Sequence, residues 1–393
     1  MQFAKRLQAF KTNVFADMDR AKDAARGLGQ EIIDLSLGSS DLPASNLVTD
    51  AIESNLKDRS THGYLLYHGT GAFRQAAAHW YEKKFGIEVD PSSEVLQLIG
   101  SQEGTAHLPL ALLNPGDYAL VPDPGYPSHY GGVYLASGQV YTMPLLAENQ
   151  FLPVLEHIPE SVLSNARLMI LSYPHNPTTA IAPLSFFQKA VSFCRHHNLV
   201  LVHDFPYADI FFAPTKPPPS IFQADKNKSL SIEFFTLSKS YNMGGFRVGF
   251  AIGNRELIMA LRQVKAAVDF NQYEGILNGA LAALSRDNSI VANTVATYLQ
   301  RRDVFVEALN SLGWQVPTPK ATMYVWAKLP DPWQNNSIQF CQELVGKTGV
   351  AASPGAGFGT AGEGYVRLAL VKSEAVLVHA ATKIVAFIKQ FQP

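Results

Sequence analysis

Lys239 stands in Thr236-Leu-Ser238-Lys239-Ser-Tyr-Asn-Met-Gly-Gly-Phe-Arg247-Val-Gly249, directly after the apolar run Ile232 to Phe235. A lysine amine can condense with an aldehyde. The flanking hydroxyls of Thr236 and Ser238, with the guanidinium of Arg247, can hold a phosphate. One small molecule carrying both groups would satisfy the whole set. A Ser-Lys pair by itself is also what a solvated lysine at a strand end looks like, so its neighbours decide between the two readings.

Two further apolar runs end in polar residues of the same kind. Leu168-Met-Ile-Leu171 leads into Ser-Tyr-Pro-His-Asn176-Pro177, and Leu199-Val-Leu-Val-His203 leads into Asp204-Phe-Pro-Tyr207. Taken singly, Asn176 before a proline is a turn residue and Asp204 caps a turn or helix. Taken together, an aspartate can keep a pyridine-type ring nitrogen protonated, which makes the ring an electron sink for a carbanion beside it. Asn176 and Tyr207 can donate to a phenolate oxygen on that ring, and Lys239 can carry a proton as general acid and base. Tyr126, in Pro122-Asp-Pro-Gly-Tyr126-Pro-Ser-His129, can stack on the ring. This chemistry is that of pyridoxal 5'-phosphate.

The elements that must position these residues follow a rhythm. Short β-rich runs at Val95 to Ile99, Tyr118 to Val121, Leu168 to Leu171, Leu199 to His203, Ile232 to Phe235 and Val248 to Ile252 alternate with helical patterns. Those patterns include Ala72 to Phe85, Gly104 to Leu113 and Ser185 to His196, the last with Ser185 in N-cap position. Such alternation predicts an α/β fold with a mostly parallel sheet, whose ligands gather at the carboxyl ends of the strands. After about residue 285 the character shifts: long helical patterns at Ser289 to Leu312 and Ser373 to Phe391 flank short strands at Met323 to Ala327 and Tyr365 to Leu370. The expected division is an N-terminal arm and part of a small domain over 1–42, a large α/β domain over 43–285, and a smaller α+β C-terminal domain over 286–393.

Composition narrows the function. The 393 residues are 47% hydrophobic, ample for a large core, and 32 basic against 33 acidic side chains give a net charge of −1. No basic field is available to attract nucleic acid or an acidic membrane surface, so a small-molecule ligand is expected. Cys194 and Cys341 lie in helical patterns without paired spacing and are read as reduced core thiols, and no metal site is expected. Neither a signal-peptide apolar stretch nor a run of about 18 apolar residues occurs, so a cytoplasmic protein is expected.

Almost end to end, the chain resembles the class I/II aminotransferases, the fold-type-I pyridoxal-phosphate enzymes. The resemblance is carried by Leu35-Ser-Leu-Gly38-Ser-Ser-Asp41-Leu-Pro43, Tyr64 to Arg74, Gly100-Ser-Gln-Glu-Gly104, Asn114-Pro-Gly-Asp117, Pro124-Gly-Tyr126-Pro127 and His175-Asn176-Pro177-Thr178. Further matches are Asp204 to Tyr207, Ser238-Lys239, Arg247-Val-Gly249, and Pro354-Gly-Ala-Gly-Phe-Gly359 through Arg367 to Leu370. It implies covalent attachment of the cofactor to Lys239, Asp204 on the ring nitrogen with His129 behind it, Asn176 and Tyr207 on the phenolate, and Tyr126 over the ring. The phosphate would be held by Arg247, Thr236, Ser238, the helix start at Ser101 and Gln102, and Tyr64 from a partner subunit. Arg367 and Asn176 would bind the substrate carboxylate, with Gly38 and its loop closing over it. Thr179 departs from the glycine usual in the family, and Ala321-Thr322 replaces a small, glycine-rich pair. Gln102 stands where some aspartate-specific relatives carry lysine.

The resemblance thus implies a homodimeric enzyme that moves an amino group between an L-amino acid and a 2-oxo acid, with 2-oxoglutarate and glutamate as one pair. The start of the chain, including Val14-Phe-Ala-Asp-Met-Asp19, resembles the diaminopimelate-type aminotransferases, and an aspartate-type substrate is the neighbouring expectation. The ring-binding set does not separate a transaminase from a carbon–sulfur β-lyase on the same fold. A regulator that uses this fold as an effector sensor needs an added DNA-binding module, for which the stretch before Gly38 is short.

Overall fold

The computed structural model describes residues 2–10, 14–285 and 289–391. Its strands are β1 (Ile33–Asp34), β2 (Val95–Leu98), β3 (Tyr118–Asp123), β4 (Gln139–Pro144), β5 (Ala166–Leu171), β6 (Val200–Asp204), β7 (Ser231–Thr236), β8 (Gly249–Gly253), β9 (Tyr324–Lys328), β10 (Val350–Ala351), β11 (Ser353–Pro354) and β12 (Tyr365–Ala369). Seven of them form one sheet in the order β2-β8-β7-β6-β5-β3-β4. All adjacent pairs from β7 to β4 are parallel, and β8 alone runs against its neighbours β7 and β2.

The reversal of β8 has a simple cause. A parallel return must cross over a face of the sheet, usually as a helix. The connection from Thr236 to Gly249 is a loop with only a short 3-10 turn, Gly244–Phe246, so the chain comes back antiparallel. That loop carries Lys239 and Arg247, which therefore share one rim of the sheet.

The central strands read as continuous apolar runs because both faces are covered. Met169 and Leu171 of β5 join one hydrophobic cluster while Leu168 and Ile170 join the one on the opposite face, and β7 divides in the same way between Phe235 and Ile232 with Phe234. Edge strand β4 had no such run. Its residues are mostly exposed or half-buried, which is why hydrophobic patterning did not reveal it. The helix expected from Ser185 begins at Leu184, with extended Pro183 in cap position and no side-chain cap.

A second core forms where the chain ends meet. Strands β11, β12 and β9 make an antiparallel sheet, and β1 pairs with β10, so residues near the N-terminus pack with those near the C-terminus. Met18, Ile33 and Leu35 share a cluster with Val350, Leu368 and Ile384. The helix Ser289–Leu312 ties this body to the loop after Gly38: Arg301 grips Asp41 with two bonds of 2.7 and 2.9 Å, and the Tyr298 hydroxyl donates to Ser40 at 2.7 Å. Ser40 in turn donates to Asn242 at 2.8 Å, in the loop that holds Lys239. The expected boundary at 285/286 adjoins residues 286–288, which lie outside the described residues. Cys194 and Cys341 are free and buried, and burial pushes both thiols up. No helix among the described residues is long and apolar enough to cross a membrane.

Candidate active site

Strands β2, β3, β5, β6 and β7 point the same way, and their carboxyl ends deliver Ser101, Tyr126, Asn176, Asp204 and Lys239 to one rim. A cavity of about 760 Å³ opens there, closed on its other side by residues of the second core, including Tyr324, Ser353 and Arg367.

At one end lies a cup for an anion. The helix Ser101–Leu112 starts from Gly100, whose φ of +78° is a conformation that glycine adopts freely. A side chain on Gly100 would also meet Arg247 Nη2 at 2.6 Å, so glycine lets the guanidinium sit against the helix start. Thr236 Oγ1 donates to Ser238 Oγ at 2.8 Å, and Ser238 N donates back to Thr236 Oγ1 at 3.2 Å. Unpaired helix N–H groups, two hydroxyls and a guanidinium therefore converge, and Gln102 accepts from the Tyr126 hydroxyl at 3.4 Å beside them.

The middle of the cavity holds Asp204. It is buried, and its Oδ2 lies 3.0 Å from His129 Nε2, so that nitrogen carries the proton and donates to the carboxylate. Its Oδ1 is buried without any partner. An unpaired carboxylate oxygen beneath a cavity is costly and calls for a cationic donor from a ligand. Tyr126 sits above, its ring edge-on to His129 at 6.0 Å. Tyr207 is buried and its hydroxyl is 2.7 Å from that of Tyr324; burial, reinforced by Tyr324, holds its phenol well above the ordinary range, so it remains a donor at neutral pH. Lys239 Nζ donates to the carbonyl of Gly38 and lies 6.0 Å from the Tyr207 ring centroid.

Arg367 forms the third part. It is 4% exposed, donating to Asn176 Oδ1 at 2.9 Å, to the Ser36 carbonyl at 2.7 Å and to Ser353 Oγ at 3.3 Å, while its Nε has no partner. The guanidinium lies over the rings of Tyr324 and Phe358, at 4.3 and 4.7 Å. So held, it offers a planar fork suited to a carboxylate. Gly38 lies beside it: a side chain there would strike Tyr324 Oη at 2.7 Å.

Of the residues singled out from the sequence, Gly38, Ser101, Gln102, Tyr126, Asn176, Asp204, Tyr207, Thr236, Ser238, Lys239, Arg247 and Arg367 line this cavity, with His129 directly behind Asp204. Tyr64 does not. It is 93% exposed, with its ring edge against Phe270. Sequence reasoning passed over Tyr324, Ser36, Ser353 and Phe358 as site residues, although Tyr324, Ser36 and Phe358 fell inside a motif or strand that it noted and Ser353 directly precedes one. The Thr179 and Thr322 departures both fall at left-handed backbone, φ +62° and +70°, where glycine carries no steric cost. Among the described residues, Glu103, His107 and Asp269 come close enough to suggest a metal cluster, but the Lys265 ammonium fills that space, 2.8 Å from Glu103 and 3.3 Å from Asp269.

Comparison with known proteins agrees with this geometry. The family model described as aminotransferase class I and II matches residues 30–384. An LL-diaminopimelate aminotransferase 2 of Trichormus variabilis is 41% identical over 385 residues, 98% of each chain. Among solved structures, a probable N-succinyldiaminopimelate aminotransferase from Thermus thermophilus aligns with a TM-score of 0.89 at 41% identity, covering 95% of this chain and 99% of that one. Substrate-bound BacF from Bacillus subtilis aligns at 0.92 with 34% identity and 98% coverage of both. The chain belongs to the class I and II aminotransferases, enzymes that transfer amino groups between small molecules.

Proposed function

We propose that the cavity binds pyridoxal 5'-phosphate and that the protein transfers the amino group of a diaminopimelate-type amino acid to a 2-oxo acid such as 2-oxoglutarate. The observation that carries the cofactor assignment is the buried, partnerless Oδ1 of Asp204, which a protonated pyridine nitrogen would satisfy. The anion cup at one end of the same cavity suits a phosphate. When bound, the cofactor supplies an aldehyde that takes up the amine and a ring that accommodates electron density from the substrate α-carbon.

The chain's residues then have distinct tasks. Lys239 would hold the cofactor at its aldehyde carbon, and its amine, freed when the donor's amine takes that place, would carry the proton at the substrate α-carbon. Asp204, oriented by His129, keeps the ring nitrogen protonated. Asn176 and Tyr207 donate to the ring phenolate, and Tyr126 covers the ring face. Gly100 to Gln102, Thr236, Ser238 and Arg247 hold the phosphate. Arg367 and Asn176 orient the substrate carboxylate, and the Gly38 loop closes over it, excluding water.

The diaminopimelate-type donor is supported by the substrate named for the relatives that match nearly the whole chain. A carbon–sulfur β-lyase is not favoured, since those relatives are aminotransferases. The division at 42/43 and 285/286 is part of the proposal, supported by the separate core that unites the two chain ends. We further propose a cytoplasmic homodimer in which Tyr64, exposed in a single chain, completes the phosphate cup of a second copy. The test is Lys239→Ala with added cofactor. The variant should fold, show no yellow lysine-bound chromophore and transaminate nothing; wild-type turnover in that variant would end the proposal.

A further inference from the structure

Among the described residues, six charged side chains line the cavity: Asp19, Lys22, Asp204, Lys239, Arg247 and Arg367. Four have tasks in the proposed reaction. Asp19 and Lys22 have none, and both belong to the helix Val14–Gly27, one turn apart on the same face.

Their charges do not cancel. Lys22 Nζ lies 2.7 Å from Asp19 Oδ1 and 3.0 Å from Asp34 Oδ2, so one ammonium serves two carboxylates. Asp34 is also satisfied by the backbone N–H and hydroxyl of Ser36, at 2.9 and 2.6 Å. Burial works against charge on Lys22, but the two carboxylates outweigh it and hold its pKa above the ordinary value, so it stays protonated. The three side chains together therefore carry one surplus negative charge, and Asp19 is the carboxylate a ligand can reach: its side chain is 66% exposed while those of Lys22 and Asp34 are 7% and 14% exposed.

The same contacts fix this pair relative to the carboxylate clamp. Ser36 holds Asp34 through its N–H and hydroxyl and receives Arg367 Nη2 on its carbonyl. Asp34 and Ser36 are separated by at most ~7 Å of chain. Met18, Leu37 and Phe10 line the cavity too, and Leu37 and Phe10 are 52% and 44% exposed. A carboxylate fork, apolar side chains and a surplus negative charge thus line the same cavity.

We infer that Asp19, oriented by Lys22, receives a second ammonium at the far end of the amino donor's side chain, whose aliphatic stem lies on Met18, Leu37 and Phe10. The inference rests on the transaminase reading above and deepens it: the site selects diamino acids by the distal amine, and short donors such as aspartate bring no second ammonium to Asp19, which keeps only its pairing with Lys22.

The test compares two donors of equal carbon length on the cofactor-loaded enzyme, LL-2,6-diaminopimelate and L-2-aminopimelate, which lacks only the distal amine. Wild type should prefer the first. Asp19→Asn should lower kcat/KM for diaminopimelate roughly tenfold or more, chiefly through KM, and change that for aminopimelate less than about threefold. Asp19→Lys should reverse the preference. Equal losses on both donors, or no loss on diaminopimelate, would overturn the role of Asp19 while leaving the transaminase reading intact. A wild-type enzyme that transaminates neither these nor any other amino acid would instead remove the reading on which the inference rests.

Discussion

Replacing Asp204 by asparagine changes one charge and almost no volume. The amide can still accept the bond that His129 Nε2 makes to Oδ2 at 3.0 Å, so the fold should survive. In the cofactor-free protein the variant should be at least as stable as wild type, because the partnerless buried oxygen is no longer part of a carboxylate. With cofactor bound the sign reverses. A full charge at hydrogen-bond distance, about 3 Å, interacts with a ring cation by roughly 5 kcal/mol at an effective dielectric of about 20. At about 1.4 kcal/mol per pKa unit this is ~4 units of basicity at the ring nitrogen. If proton removal from the substrate depends on that protonated ring, the amino-transfer half-reaction should slow by about 10³-fold. The assay is a single-turnover, stopped-flow absorbance measurement with one amino donor and no oxo acid, paired with a thermal melt without cofactor. A half-reaction rate within about threefold of wild type would refute the assignment of Asp204 to the ring nitrogen.

Other perturbations test other parts of the site. Arg367→Lys keeps the charge but loses the fork that meets Asn176, Ser36 and Ser353; KM should rise about 10- to 100-fold for every carboxylic donor alike, and a loss confined to one side-chain class would mean that Arg367 reads something else. Thr322→Gly relieves a left-handed β-branched residue and a buried, unpartnered hydroxyl, and should stabilise the protein by about 1 kcal/mol, seen as a melting point higher by roughly 1–3 °C; a lower one would contradict the strain. Burial pushes the Asp34 carboxyl up, but the bonds from Ser36 and Lys22 outweigh it and hold the pKa below its ordinary 3.8. Its contribution is therefore present above pH 3.8 and lost as pH falls through the lower folded-state value. Asp34→Asn should cost on the order of 1–2 kcal/mol in urea unfolding at pH 7, with the gap closing in acid; a gap independent of pH would exclude this linkage.

Much of the site was legible because its residues follow the strands that carry them. Asn176, Asp204 and Lys239 each come within a few residues of an apolar run, and a parallel sheet gathers such ends without further information. The helix Ser289–Leu312 was legible from its period alone. What the sequence did not disclose depends on contacts between distant segments. The resemblance joined Arg367 to Asn176, 191 residues away, but not to the Ser36 carbonyl across 331, and Tyr324 enters the site only because β9 is packed beside β12. Asp19 and Lys22 look like ordinary helix-surface charges until the helix is seen to wall the cavity. The Thr179 and Thr322 departures were visible as exceptions to a pattern, but their cause is a backbone angle that no single sequence displays.

The most direct measurement is the near-ultraviolet and visible spectrum of the purified protein with pyridoxal phosphate, before and after single amino donors, for wild type and Lys239→Ala. Wild type should show a yellow band that bleaches with a diamino acid donor and returns with 2-oxoglutarate, and the variant should show no such band. A wild-type protein that never forms the band, or a variant that forms and bleaches it as wild type does, would contradict the assignment of Lys239 and with it the proposed reaction.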